Sequence, residues 1–139
     1  MSRPTLLVVL QNPWKRGKLQ KWHPSIWKKE FLASRTGRRL YNEVLPQNLY
    51  RLRFANANPK LADSPQGIFQ PDLKHLRRQI RLVKPALILA CGLIAQKGLN
   101  SLNLNTPTVF MPHPASHSLS RKTTNDIKQK LIILEAFLL

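Results

Sequence analysis

Four residues able to bind or orient a polar ligand stand directly behind short apolar runs: Asn12, Asn56, Gly92 and His113. An amide donates and accepts hydrogen bonds at once, and an imidazole does the same in its neutral form. Two amides and an imidazole on one surface therefore make a hydrogen-bonding pocket, with a glycine leaving room for close approach. Taken singly, each residue has an ordinary explanation. Asn-Pro starts many turns, and His113 between Pro112 and Pro114 fits an exposed loop. Their shared position in the chain is the informative feature.

The runs that precede them are Leu6–Leu10, Leu49–Ala55, Ala86–Ala90 and Thr106–Met111. Each is rich in the residues a buried strand prefers, and the second alternates, as a half-exposed strand does. Four helical segments separate or follow them. Residues 36–45 place Leu40, Tyr41, Val44 and Leu45 on one side. Residues 71–83 open with Pro71 and Asp72, a favourable helix start, and repeat Leu73, Leu76, Ile80 and Val83. Residues 93–102 form a short helix after Gly92. The last helix begins near Thr123 or Thr124 and carries Ile127, Leu131, Leu134 and Phe137–Leu138. Strand alternating with helix predicts an α/β fold over residues 1–139: one domain, a central four-stranded parallel sheet flanked by helices, and right-handed crossovers. In such a sheet ligands bind beyond the carboxyl ends of the strands, where all four residues fall.

Charge indicates the ligand. The chain carries 23 Lys and Arg against 6 Asp and Glu, a net +17 in 139 residues. That excess repels itself within a small fold and points to a polyanion, nucleic acid above all. With 42% apolar residues the chain can build a core and is no disordered basic tail. One cysteine, Cys91, excludes an intrachain disulfide and any cysteine-rich metal site. No apolar stretch approaches the ~18 residues of a membrane span. A complete chain, monomeric and free of metal or organic cofactor, is expected, in the cytoplasm (nucleoid-associated) or nucleus and not secreted.

Segment 14–35 lacks periodicity and holds Trp14, Trp22 and Trp27 among recurrent Lys and Arg, with Lys15 and Arg16 at its start. Its tryptophans either pack back on the core or face DNA, with cations on phosphates and rings near bases. The cations at 77, 78, 81 and 84 read first as a solvated helix face and alternatively as part of a binding surface.

The ordered set of strand-end motifs resembles the uracil-DNA glycosylase superfamily. Gln11-Asn12-Pro13-Trp14 is similar to the Asn-Pro motif of its mismatch-specific and single-strand-selective branches. Phe54-Ala55-Asn56-Ala57-Asn58-Pro59 resembles the second-strand motif of the single-strand-selective branch. The segment from Phe31 to Leu40 resembles the Phe-Val-Gly-Arg-x-Gly segment of the thermophilic branch, with one extra residue. His113-Pro114-Ala115-Ser116 resembles the His-Pro-Ser-Pro motif. The resemblance implies a glycosylase that flips a base into a pocket. Phe31 would stack on the base, Asn56 would read its O4/N3 edge, Asn12 would hold the attacking water, and His113 would donate to O2 as charge develops there. Gln11 and Gly92 would line the base site. Ser116, Arg121 and Lys122 would hold DNA, with Leu119 as a wedge entering the duplex; otherwise 116–122 is an ordinary loop whose hydroxyls cap the last helix. The sequence departs from the family in carrying Ala115 for a Ser and in lacking an Asp in the first motif, and the amide of Asn12 in that place predicts slower catalysis than in the Asp-bearing branch. The alternatives are a catalytically weak or inactive glycosylase-like nucleic-acid binder and a basic RNA-binding assembly factor.

Overall fold

The structure, a computed structural model, describes residues 3–11, 33–46, 48–58, 69–117 and 119–138. Strands β1 (Thr5–Leu10), β2 (Arg51–Asn56), β3 (Leu87–Cys91) and β4 (Thr108–Met111) form one sheet in the order β2-β1-β3-β4. Every pairing is parallel. The central strands β1 and β3 are buried along almost their whole length, which is why their sequences are unbroken apolar runs rather than alternating ones. Edge strand β2 alternates, with Arg51 and Arg53 exposed, as its sequence pattern predicts.

One sheet face packs Leu6, Val8, Leu10, Leu87, Leu89 and Cys91 against helix α1 (Arg35–Arg39) with its continuation, and against α4 (Arg121–Glu135). The other packs Leu7, Val9, Ile88 and Ala90 against α2 (Leu73–Val83) and α3 (Leu93–Ser101). Three helices begin at a side-chain cap. Ser34 accepts from the Gly37 amide at 3.1 Å, Asp72 from His75 at 3.0 Å and Ser120 from Thr123 at 3.1 Å. Each cap satisfies a backbone donor that the first turn leaves unpaired. The Tyr50 hydroxyl donates to the Leu131 carbonyl and ties α4 to the sheet. Burial, and then the Glu135 carboxylate, push the Tyr50 pKa up to about 12, so it remains a donor at any ordinary pH.

The helices depart from the sequence pattern at their ends. Expected over 36–45, the first is α-helical only through Arg39 and then widens into a π-helical stretch, Leu40–Val44. The Leu45 amide reaches back to the Leu40 carbonyl at 2.8 Å, a five-residue step that keeps both Leu40 and Val44 buried. The last helix starts at Arg121 rather than at Thr123 or Thr124, because Ser120 supplies the cap. It ends at Glu135, leaving Phe137 outside the helix and 78% exposed.

Candidate functional site

The carboxyl ends of β1, β3 and β4 open into a cleft of about 420 Å³. Among the residues that line it are Gln11, Gly92, Gln96, Phe110, His113 and Ser116. Gly92 and His113 were expected here from the strand-end rule, Gln11 from the family resemblance, and Ser116 was expected to hold DNA. Gln11 follows β1, Gly92 follows β3, and His113 and Ser116 lie in the loop after β4.

Gly92 is held at φ +93°, a conformation that L side chains rarely adopt. A Cβ there would lie 3.3 Å from the His113 Cβ and 3.5 Å from Gln11 Nε2. A side chain here would be strained at this φ and would press on His113. The Met111 carbonyl fixes this corner by accepting from the Gly92 amide at 2.9 Å and from Gln96 Nε2 at 3.2 Å.

His113 follows two residues later and is half-buried. The Ala115 amide donates to its Nδ1 at 3.1 Å, so Nδ1 carries no proton and Nε2 is the N–H donor. Burial lowers the His113 pKa below the usual 6.5. The Ala115 hydrogen bond acts in the same direction, since only the unprotonated Nδ1 can accept it. The product is a neutral imidazole with a defined donor atom on a cleft wall.

The loop carrying His113 is secured from behind. Arg39, at the end of α1, donates through Nη1 to the Pro114 and Ser116 carbonyls at 3.2 and 3.1 Å. Its Nη2 donates to the Leu119 carbonyl at 2.8 Å, and its Nε to Glu43 at 3.3 Å. The other Glu43 oxygen lies 3.3 Å from the Thr124 hydroxyl, which also reaches the Arg121 carbonyl at 2.9 Å. One guanidinium thus fixes the turn after β4 and, through Glu43, the start of α4.

The remaining expected residues divide into four groups. Asn56 is half-buried and ends β2 opposite Leu10, on the same rim but one strand away from the cleft. The chain beside it is pinned by Ala57 and Asn58, whose amides donate to the Leu10 and Gln11 carbonyls. Arg121 and Lys122 are exposed on the first turn of α4. Asn12, Lys15, Arg16, Phe31 and the three tryptophans lie outside the described residues. Leu119 is the correction. A wedge must project into solvent to enter a duplex, but Leu119 is 6% exposed and packs in the core beside Leu131 and Met111. Its contribution to the loop is the carbonyl that Arg39 holds. Arg39, Glu43, Gln96 and Phe110 were not singled out by the sequence as parts of a site. Among the described residues no group of three His, Cys, Asp or Glu side chains is placed to hold a metal ion, and no helix is long and apolar enough to cross a membrane.

A sequence model of the uracil DNA glycosylase superfamily matches residues 3–135, nearly the whole chain. No curated protein and no solved structure gives a significant match.

Proposed function

Because the chain belongs to the uracil DNA glycosylase superfamily, we propose that it is a monofunctional glycosylase that hydrolyses the N-glycosidic bond of uracil, or of a related deaminated or modified base, in DNA. The observation that carries this reading is His113, a neutral imidazole whose Nε2–H is its donor, set in the cleft at the strand ends.

The base leaves the stack and enters the rim, because the sugar–base bond is out of reach within a duplex. Phe31 stacks on it. Asn56 donates to O4 and accepts from N3, a pattern that selects against cytosine, whose donor and acceptor are exchanged. Water held by Asn12 attacks C1′. The C1′–N1 bond breaks, and its electron pair departs with the base as a uracil anion whose charge is shared with O2. His113 donates to that oxygen while the charge develops, and one preorganised donor of this kind contributes roughly 3 kcal/mol to lowering the barrier. The water proton passes to solvent and the uracil anion takes a proton from it, giving an abasic sugar and free uracil. Being an amide, Asn12 accepts no proton and does not offset positive charge on the sugar, so the rate is low. Gln11 and Gly92 shape the floor beside His113. Ser116, Arg121, Lys122, Lys15 and Arg16 hold the DNA backbone.

The amide at position 12 and the +17 charge also favour a second reading, a glycosylase-like nucleic-acid binder with little or no catalysis. Incubation with uracil-containing single- and double-stranded oligonucleotides, followed by alkaline cleavage of abasic sites, separates the two. Strand breaks at the uracil support the enzyme. No breaks at high protein concentration across uracil, hypoxanthine and hydroxymethyluracil favour the binder. Comparing Asn12→Asp with Asn12→Ala then tests the water role. The Asp variant is expected to be faster and the Ala variant slower, whereas an Ala variant as active as wild type would remove that role.

A further inference from the structure

We propose that the side of the molecule formed by α2 and the β2 edge is a second nucleic-acid surface, separate from the base cleft, that binds the phosphate backbone of the strand flanking the target.

The helix presents Lys74, Arg77, Arg78 and Arg81 at spacings of three and four residues, and Lys84 follows at its C-cap. All five are exposed. None forms an ion pair with a carboxylate among the described residues. Asp72, the nearest acid in the chain, is committed to capping the helix. Like charges at these spacings repel, and nothing in the helix relieves them. The helix therefore carries an electrostatic cost that a polyanion would remove. Lys74, Arg77, Arg78 and Arg81 also line, with His75 and Leu82, an open groove of about 690 Å³.

The neighbouring strand enlarges the surface. Side chains alternate along β2, and Ala55 is buried on the sheet face that α2 covers. Arg53 and Arg51 continue that face and are exposed. The Asp72 amide donates to the Ala57 carbonyl at 2.8 Å, so α2 starts at the carboxyl rim and runs back alongside β2. Lys74 to Arg81 spans about 10 Å along the helix axis, and the stripe starts beside the strand ends where the base site lies. Five of these seven cations are arginines, at 51, 53, 77, 78 and 81, and their forked guanidinium donors match the geometry of phosphate oxygens. A strand whose base occupies the cleft can continue down this side.

This surface rests on charge and geometry, and it extends the proposed function without depending on catalysis. The test is the binding of an undamaged fluorescent 25-nucleotide strand across a salt series, for wild type, the triple variant Arg77→Gln/Arg78→Gln/Arg81→Gln, and the control Lys128→Gln/Lys130→Gln on α4. The triple variant is expected to bind about tenfold or more weakly at low salt, with the log–log salt slope reduced by about 2, while the control keeps more of both. In the same samples, excision from a uracil trinucleotide should be unchanged, and excision from the 25-mer at limiting protein should fall with affinity. A triple variant with wild-type affinity and slope would overturn the proposal, and so would polyglutamate competing as well as DNA at equal charge, since the surface would then suit an acidic polypeptide. If wild type excises no base, the glycosylase reading fails, and the salt series still decides the surface.

Discussion

Two neighbours set the state and the place of the His113 ring. The Ala115 amide assigns the proton to Nε2, and Gly92 leaves the space in which the ring sits. Gly92→Ala is expected to cost about 1–3 kcal/mol of stability from the positive φ alone. It should also slow excision by about tenfold or more by displacing the imidazole, since misplacements of ~1 Å can cost a hundredfold. Urea titration and single-turnover excision measure the two effects separately. The lowered His113 pKa also carries a pH signature. Unfolded, the imidazole protonates near 6.5; folded, it stays neutral to lower pH. Between those values the unfolded chain binds more protons, so stability associated with this residue is fully present above 6.5 and is lost as pH falls through the folded-state value. Wild type should therefore lose stability relative to His113→Gln as the pH drops below 6.5. A gap between them that is constant with pH would remove the assignment of a neutral, buried ring.

At the level of elements, the loop after β4 is held by α1 rather than by its own strand. Arg39 acts here as a positioning residue. Arg39→Ala removes all its donors, and Arg39→Lys replaces a planar fork with a single point charge, so both are expected to lower kcat more than they raise KM. NMR titration of His113 distinguishes this from general destabilisation, because a released loop lets the imidazole pKa rise toward its ordinary value. Leu119→Ala should cost about 2–5 kcal/mol, as the loss of a core leucine does. A stable Leu119→Ala protein that had lost only its activity on duplex DNA would restore the wedge. The strands were legible in the sequence because burial on both faces leaves continuous apolar runs. Of the four residues that the strand-end rule picked, Gly92 and His113 line the cleft, Asn56 stands one strand away, and Asn12 lies outside the described residues. The π-helical stretch was not legible, since Leu40 and Val44 suit either helical period. Arg39 was hidden for another reason. It is one of 23 cations, and its partners are backbone carbonyls 75 to 80 residues away that leave no mark on residue type. For 116–122 the sequence left a Leu119 wedge and a helix-capping loop both open, because an apolar residue in a polar loop looks exposed until the core beneath it is known; Ser120 provides the cap.

For the whole molecule, the strand-end cleft and the basic helix stripe meet at the carboxyl rim of the sheet. The carboxyl rim gathers the cleft, Asn56 and the exposed first turn of α4, and the basic stripe of α2 leads away from it. With a net +17, affinity for DNA should fall steeply with salt whether or not a damaged base is present, whereas excision should depend on a few rim residues. The central claim is that a neutral His113 stabilises the departing base. It is tested most directly by single-turnover release of uracil from a single-stranded oligonucleotide, comparing wild type with His113→Ala at saturating protein. Wild type is expected to release free uracil and leave an abasic site, and the variant to do so about a hundredfold more slowly with DNA affinity unchanged. Equal rates from the two proteins would contradict it.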